Sequence, residues 1–208
     1  VYDKPMIYYP LTTLIAAGIR QYCIISAPHE LTNYKALFGD GRMWGISIDY
    51  LEQLKPEGIA QAFLIAHDFV GSDNVILVLG DNIFSGGDDF PRAIAEFTDG
   101  GCIFAYHVND PERYGVVELD QAGKAISLEE KPAKPKSNFA VPGAYIYDNS
   151  VLEIAKTIQF SARSELEITD INLEYMRLGK LKVRRLSRGF AWLDAGTVGE
   201  LQGAPAYI

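Results

Sequence analysis

Five apolar residues stand in a row at Val75-Ile76-Leu77-Val78-Leu79. A branched run of that length predicts a strand covered on both faces, as in a parallel sheet flanked by helices. Around it the hydrophobic period switches repeatedly. A helix is predicted over residues 5–17, opened by Pro5 and closed by Gly18, with Pro10 implying a kink or a shorter helix. A short strand follows at 22–26, a helix at 31–38, the turn Gly39-Asp40-Gly41 and a strand at 46–50. The loop 52–58 leads into a helix at 59–69, then come strand 75–79, a helix at 91–97 and a strand at 103–108. This βαβα rhythm predicts a Rossmann-like, doubly wound α/β fold.

Beyond His107 the rhythm changes. Residues 114–119 and 125–129 read as a hairpin around Asp120-Gln121-Ala122-Gly123, and Lys131-Pro132-Ala133-Lys134-Pro135-Lys136 as a solvated connector. A strand is expected over 140–147, helices over 151–158 and 165–178, and a strand over 181–186. A strand-to-helix junction follows at Ala191-Trp192-Leu193-Asp194-Ala195-Gly196-Thr197, and the ending 203–208 is too short for an element. The expectation is one domain, 1–208, with a mixed sheet in the half 1–108 and a smaller β-rich half 109–208. The opening Val1-Tyr2-Asp3-Lys4-Pro5 has neither an initiator Met nor a first strand, so the domain is expected to be incomplete at both ends.

Composition narrows the classes. The chain has 208 residues, 48% hydrophobic and 22% charged, which suits a globular protein with a sizeable core. A net charge of −8 without a basic face argues against nucleic-acid binding. No apolar run approaches the ~20 residues that span a bilayer, and no leader pattern is present, so no membrane contact and a cytoplasmic location are expected. Cys23 and Cys102 sit in apolar runs and read as core hydrophobes, and His29, His67 and His107 lack ligand spacing.

Two places carry candidate chemistry. Gly80-Asp81-Asn82 ends the apolar run, and open α/β sheets bind ligands outside the carboxyl ends of their strands. Asp81 there is either a ligand-facing carboxylate or part of a polar turn. The segment from Gln53 to Gly58 joins a strand to a helix N-terminus, a geometry that offers N–H groups to an anion or base edge, or else an ordinary connection.

Several stretches then fall together: Tyr2-Asp3-Lys4-Pro5-Met6-Ile7-Tyr8-Tyr9-Pro10-Leu11, Pro56-Glu57-Gly58-Ile59-Ala60-Gln61-Ala62, Leu79-Gly80-Asp81-Asn82, Asp110-Pro111-Glu112-Arg113-Tyr114-Gly115-Val116-Val117 and Glu129-Glu130-Lys131-Pro132. With Arg163-Ser164-Glu165-Leu166-Glu167-Ile168-Thr169-Asp170 and Trp192-Leu193-Asp194-Ala195-Gly196-Thr197, they closely resemble the glucose-1-phosphate thymidylyltransferase family of sugar nucleotidyltransferases. The resemblance runs over practically the whole chain. It implies a nucleotide-diphospho-sugar transferase fold and Mg²⁺-dependent synthesis of dTDP-glucose and pyrophosphate from dTTP and glucose 1-phosphate. It also implies a role in dTDP-rhamnose and polysaccharide supply, and a homotetramer regulated by dTDP-rhamnose.

The resemblance assigns Asp81 and Asp194 to the metal, where a hard cation takes oxygen ligands and keeps positions for phosphate. Lys131 and Arg163 match contacts to the sugar phosphate, the guanidinium fork suiting phosphate geometry. Asn82 stands beside the metal pair among the substrate contacts. Gln53 and Gly58 match positions reading the thymine edge, and Gly115, Glu130, Val141 and Tyr145 contacts to the hexose. The departures are also informative. The family's opening strand, Gly-rich loop with Gly-Thr-Arg, and C-terminal helices are missing, which predicts a gap or unpaired edge in the sheet and turnover lowered at least ~10³-fold. Ser85 replaces an aromatic, Pro142 a Thr and Ser164 a Gly. Two alternatives to the transferase stay open: a sugar-nucleotide-binding fragment without turnover, and a uridylyltransferase, since one methyl offers only ~1–3 kcal/mol of discrimination.

Overall fold

The structure is a computed structural model describing residues 4–196. The residues Tyr2, Asp3 and Thr197 of the motifs above, and the ending 203–208, lie outside the described residues. Helix α1 (Tyr8–Ala16) starts later than expected, which places Pro10 in its first turn, where no intrahelical N–H is needed. Strand β1 (Gln21–Ser26) pairs in parallel with β2 (Ser47–Glu52), joined by α2 (Pro28–Phe38). The helix expected at 59–69 is two short ones, α3 (Gln61–Ile65) and α4 (His67–Val70), meeting at Ala66.

The apolar run forms β3 (Val75–Val78), but not as a buried parallel strand. It is half-buried throughout and, among the described residues, pairs on one edge alone, antiparallel with β9. The short β4 (Asn82–Ser85), which periodicity did not predict, follows immediately, and α5 (Asp89–Ala95) leads to β5 (Gly101–His107). The expected hairpin is present as β6 (Gly115–Leu119) and β7 (Ala125–Glu130). The strand expected at 140–147 is split into β8 (Phe139–Ala140) and β9 (Ala144–Tyr147), because Pro142 has no N–H and the Gly143 N–H is given to a side chain. Helices α6 (Val151–Thr157) and α7 (Ile168–Arg177) precede β10 (Leu181–Arg185) and β11 (Ala191–Asp194).

The strands covered on both faces are β5 and β9. Along them Ile103, Ala105, Tyr145 and Tyr147 point into one core with Phe63, Val117 and Tyr175. Cys102, Phe104, Ala144 and Ile146 alternate into a second core with Leu11, Phe84, Phe90 and Trp192. The main sheet runs β3-β9-β5-β8-β6-β7 with β10 on the other edge of β5, mixed in direction, and strands from both halves of the chain interleave in it. Pairing of β11 with β4 is antiparallel and sets Asp194 opposite Asn82.

Among the described residues, β1 and β2 stand apart from this sheet. Between β1 and β3 lies a largely apolar cavity of 590 Å³, lined by Tyr22, Ile24, Ile76 and Val78 and roofed by Leu11 and Leu14 of α1. The cavity leaves β3 half-exposed. Cys23 borders it, and burial, with Asp49 adding to it, pushes its thiol up to about 11, so it is an inert thiol at neutral pH.

Candidate active site

Asp81 follows the carboxyl end of β3, and its backbone carbonyl accepts the Ala195 N–H at 2.9 Å, tying the two acidic loops together. A Cβ placed on Gly196 would lie 3.3 Å from Asp194 Oδ1 and 3.6 Å from Asp81 Oδ2. Two carboxylates more than a hundred residues apart in sequence therefore converge on one spot. Asn82 holds this arrangement. Its Nδ2 donates to Asp81 Oδ1 at 2.8 Å, while its Oδ1 accepts from Gly143 N at 2.9 Å and Trp192 Nε1 at 2.6 Å. Asn82, expected among the substrate contacts, is a buried polar residue whose amide orients Asp81. Gly143 is required there, since a Cβ would come within 2.9 Å of Asn82 Cγ and closer still to Leu79.

The neighbouring wall of the cleft is built on the hairpin and α7. Glu130, at the end of β7, accepts the Thr169 hydroxyl at 2.5 Å. Gly115 leaves room for it, because a Cβ there would sit 3.2 Å from Glu130 Oε2. Tyr145 is buried behind both groups; burial, then the charges of Glu130, Asp81 and Asp194, raise its phenol far above the ordinary value and keep it neutral. Lys131 has a φ of 42°, in the left-handed region that costs a side-chain-bearing residue energy, and its N–H is held by the Tyr114 carbonyl at 3.0 Å. Val141, Lys131 and Arg163 line the same 230 Å³ cleft as Asp81 and Asp194.

Arg163 arrives on a strap whose last residues, 165–167, the sequence reading placed in a helix. They are not helical, Glu167 is extended, and α7 begins only at Ile168. The guanidinium takes Glu167 with two bonds of 3.1 Å and Glu165 with one of 3.0 Å, and stands 3.9 Å from Glu130. Burial works against its charge, but the Glu167, Glu165 and Glu130 carboxylates outweigh that and raise its pKa. Ser164 beside it has φ 60°, the conformation that makes Gly the usual residue there. Ser164→Gly is expected to stabilise the fold by about 0.5–1 kcal/mol, measured by urea unfolding; a loss of stability would contradict the strain.

Gln53 and Gly58 lie outside that cleft but are stitched to it. Leu166, in the strap, donates its N–H to Glu57 O at 2.7 Å and accepts Ala60 N–H at 3.1 Å. Gly58, with φ 110°, passes so close to Leu166 that any Cβ would overlap its backbone. The loop at the end of β2 and the arginine strap are thus one mechanical unit. Thr169, Glu167 and Gln61 sit inside motifs already noted but were not singled out individually, and the structure places them against Glu130, Arg163 and Gln53.

Chemically, the cleft sets an acidic pair beside a carboxylate–hydroxyl cradle, with Lys131 and Arg163 at its rim. The acidic pair fits a hard divalent cation that keeps positions for phosphate oxygens. Among the described residues no set of three His, Cys, Asp or Glu side chains could close around a metal, so the protein would supply two carboxylates.

The family model of nucleotidyl transferases matches residues 1–207, and the chain belongs to that family. Glucose-1-phosphate thymidylyltransferases of Neisseria meningitidis and Mycobacterium tuberculosis are each 52% identical to it over 211 aligned positions, covering 100% of this chain and 73% of theirs. A Bacillus anthracis structure described as a glucose-1-phosphate thymidylyltransferase in complex with a sucrose superposes with a TM-score of 0.89 at 40% identity, over 98% of this chain and 82% of that one. A UDP-glucose pyrophosphorylase complexed with UDP-glucose shares the fold, with a TM-score of 0.81 at 20% identity, over 99% and 87%.

Proposed function

We propose that the chain carries out thymidylyl transfer, joining dTTP to glucose 1-phosphate to give dTDP-glucose and pyrophosphate. The observation that carries the reading is the convergence of Asp81 and Asp194 on one spot, in the same cleft as the Glu130–Thr169 cradle. An oxygen of the sugar phosphate attacks the α-phosphorus of dTTP, the bond to the bridging oxygen breaks, and pyrophosphate leaves with the electron pair. Both reactants are anions, so most of the catalytic demand is positioning and charge neutralisation. Mg²⁺ held by Asp81 and Asp194 supplies Lewis-acid neutralisation of the phosphate oxygens when bound.

The chain's own residues do the rest. Glu130, oriented by Thr169 and given space by Gly115, accepts sugar hydroxyls. Lys131 and Arg163 offset the sugar phosphate charge, and Glu165 and Glu167 fix the plane of the guanidinium before substrate arrives. Tyr145 and Val141 close the hexose pocket with neutral surface. The loop from Gln53 to Gly58 receives the base, in a homo-oligomer working in the cytoplasm.

Incubation with dTTP, glucose 1-phosphate and Mg²⁺ is expected to release pyrophosphate and form dTDP-glucose, with both stopped by chelation. Absence of product together with absence of Mg²⁺-dependent dTDP-glucose binding would overturn the reading.

A further inference from the structure

We propose that Gln61 is a positioning residue that sets the polarity of the Gln53 amide, so that the site selects a pyrimidine carrying a ring N–H. This rests on the thymidylyl reading of the loop and goes on to say how the base is chosen. Gln53 follows β2, with its N–H held by Ser26 O at 2.9 Å. Its Nε2 lies 2.6 Å from Gln61 Oε1. An amide side chain alone can be turned either way, so what fixes it has to be found further along the chain of contacts.

Glu57 fixes it at both ends. Its carboxylate only accepts, so the Gln61 atom 2.8 Å from Glu57 Oε2 must be the donor, Nε2. The Glu57 backbone N–H only donates, and it is shared between Lys55 O at 3.0 Å and the Gln61 atom 3.2 Å away, which must therefore be Oε1. That oxygen is the one facing Gln53, and Gln53 therefore commits Nε2 inward. Its Oε1 is left as the group offered to a ligand. Thymine presents N3–H, a donor, between two carbonyls, whereas cytosine presents a bare N3 acceptor. An oxygen aimed at that position accepts the first and repels the second, and a polar group left facing a like group in a partly buried site costs binding. Uracil carries the same N3–H and is not separated from thymine by this device.

The test is binding by calorimetry, with dTTP, dCTP and N3-methyl-dTTP as probes, on the wild-type chain and two variants. Wild type is expected to bind dTTP at least about tenfold more tightly than either probe. Gln61→Leu frees the Gln53 amide to turn and should reduce that ratio to within about threefold of unity. Gln61→Glu keeps two acceptor oxygens for Gln53 Nε2 and the Glu57 N–H, so it should retain the ratio even though it sets a charge beside Glu57 and weakens the fold. A purely structural role predicts the reverse order, with Gln61→Glu the more damaging variant and no change in ratio for either. An unchanged ratio in Gln61→Leu, or a collapsed ratio in Gln61→Glu, overturns the relay while leaving the thymidylyl reading standing. A wild type that shows no preference for dTTP over dCTP overturns both.

Discussion

Asp81→Asn is expected to lower pyrophosphate release by at least about 10³-fold, with little change in folding stability. The substitution keeps the shape and removes a charge. Asparagine still offers an oxygen to Asn82 Nδ2, and the bond from Ala195 N goes to the Asp81 backbone carbonyl, so the local fold has no reason to rearrange. What is lost is half of the negative charge that would hold the proposed cation against two phosphates. Asp194→Asn should behave alike, and the double variant should be hardly worse than either single one, because the pair acts as a unit. Mn²⁺ titration followed by electron paramagnetic resonance should show weakened metal binding in all three. Near-normal turnover in Asp81→Asn would remove the metal pair from the mechanism.

The second large effect falls on a residue with no side chain. Gly58→Ala is expected to destabilise the fold by about 3 kcal/mol or more and to weaken dTDP-glucose binding at least about 100-fold. Two costs add: φ is 110°, and the new Cβ meets the Leu166 backbone, which cannot rotate aside as a side chain would. Relief requires moving the loop or the strap, which breaks the bonds from Leu166 N to Glu57 O and from Ala60 N to Leu166 O. Gly18→Ala separates the terms. Gly18 also has a positive φ, of 91°, but a Cβ there meets nothing within 4 Å, so only the conformational cost of about 1 kcal/mol remains. Urea unfolding of both variants decides the matter; equal losses would show that contact with Leu166 is unimportant.

Much of this architecture is legible in the letters, and the misreadings have specific causes. Val75–Val78 is a strand as its composition demands, yet an apolar run cannot say which strand lies beside it. It pairs antiparallel with Ala144–Tyr147 and borders the cavity beside Gln21–Ser26. The residues covered on both faces lie in Gly101–His107 and Ala144–Tyr147, whose more mixed sequences gave no such signal. Residues 165–167 carry helix-forming Glu and Leu. They stay outside the helix because both backbone groups of Leu166 are bonded to the loop 57–60, a contact between segments over a hundred residues apart.

The sequence by itself determined the alternation of strands and helices, the carboxylates at strand ends, and the motifs that place this chain among the nucleotidyl transferases. These are properties of short stretches, where period, turn residues and residue chemistry act within a few positions. Tertiary structure alone decided that Asp81 and Asp194 meet, because pairing of Ala191–Asp194 with Asn82–Ser85 is a long-range choice. It likewise decided that Asn82 orients Asp81, and that the Gln53 amide points one way. The orientation of a polar side chain depends on which donors and acceptors the fold brings around it, and those partners come from distant parts of the chain.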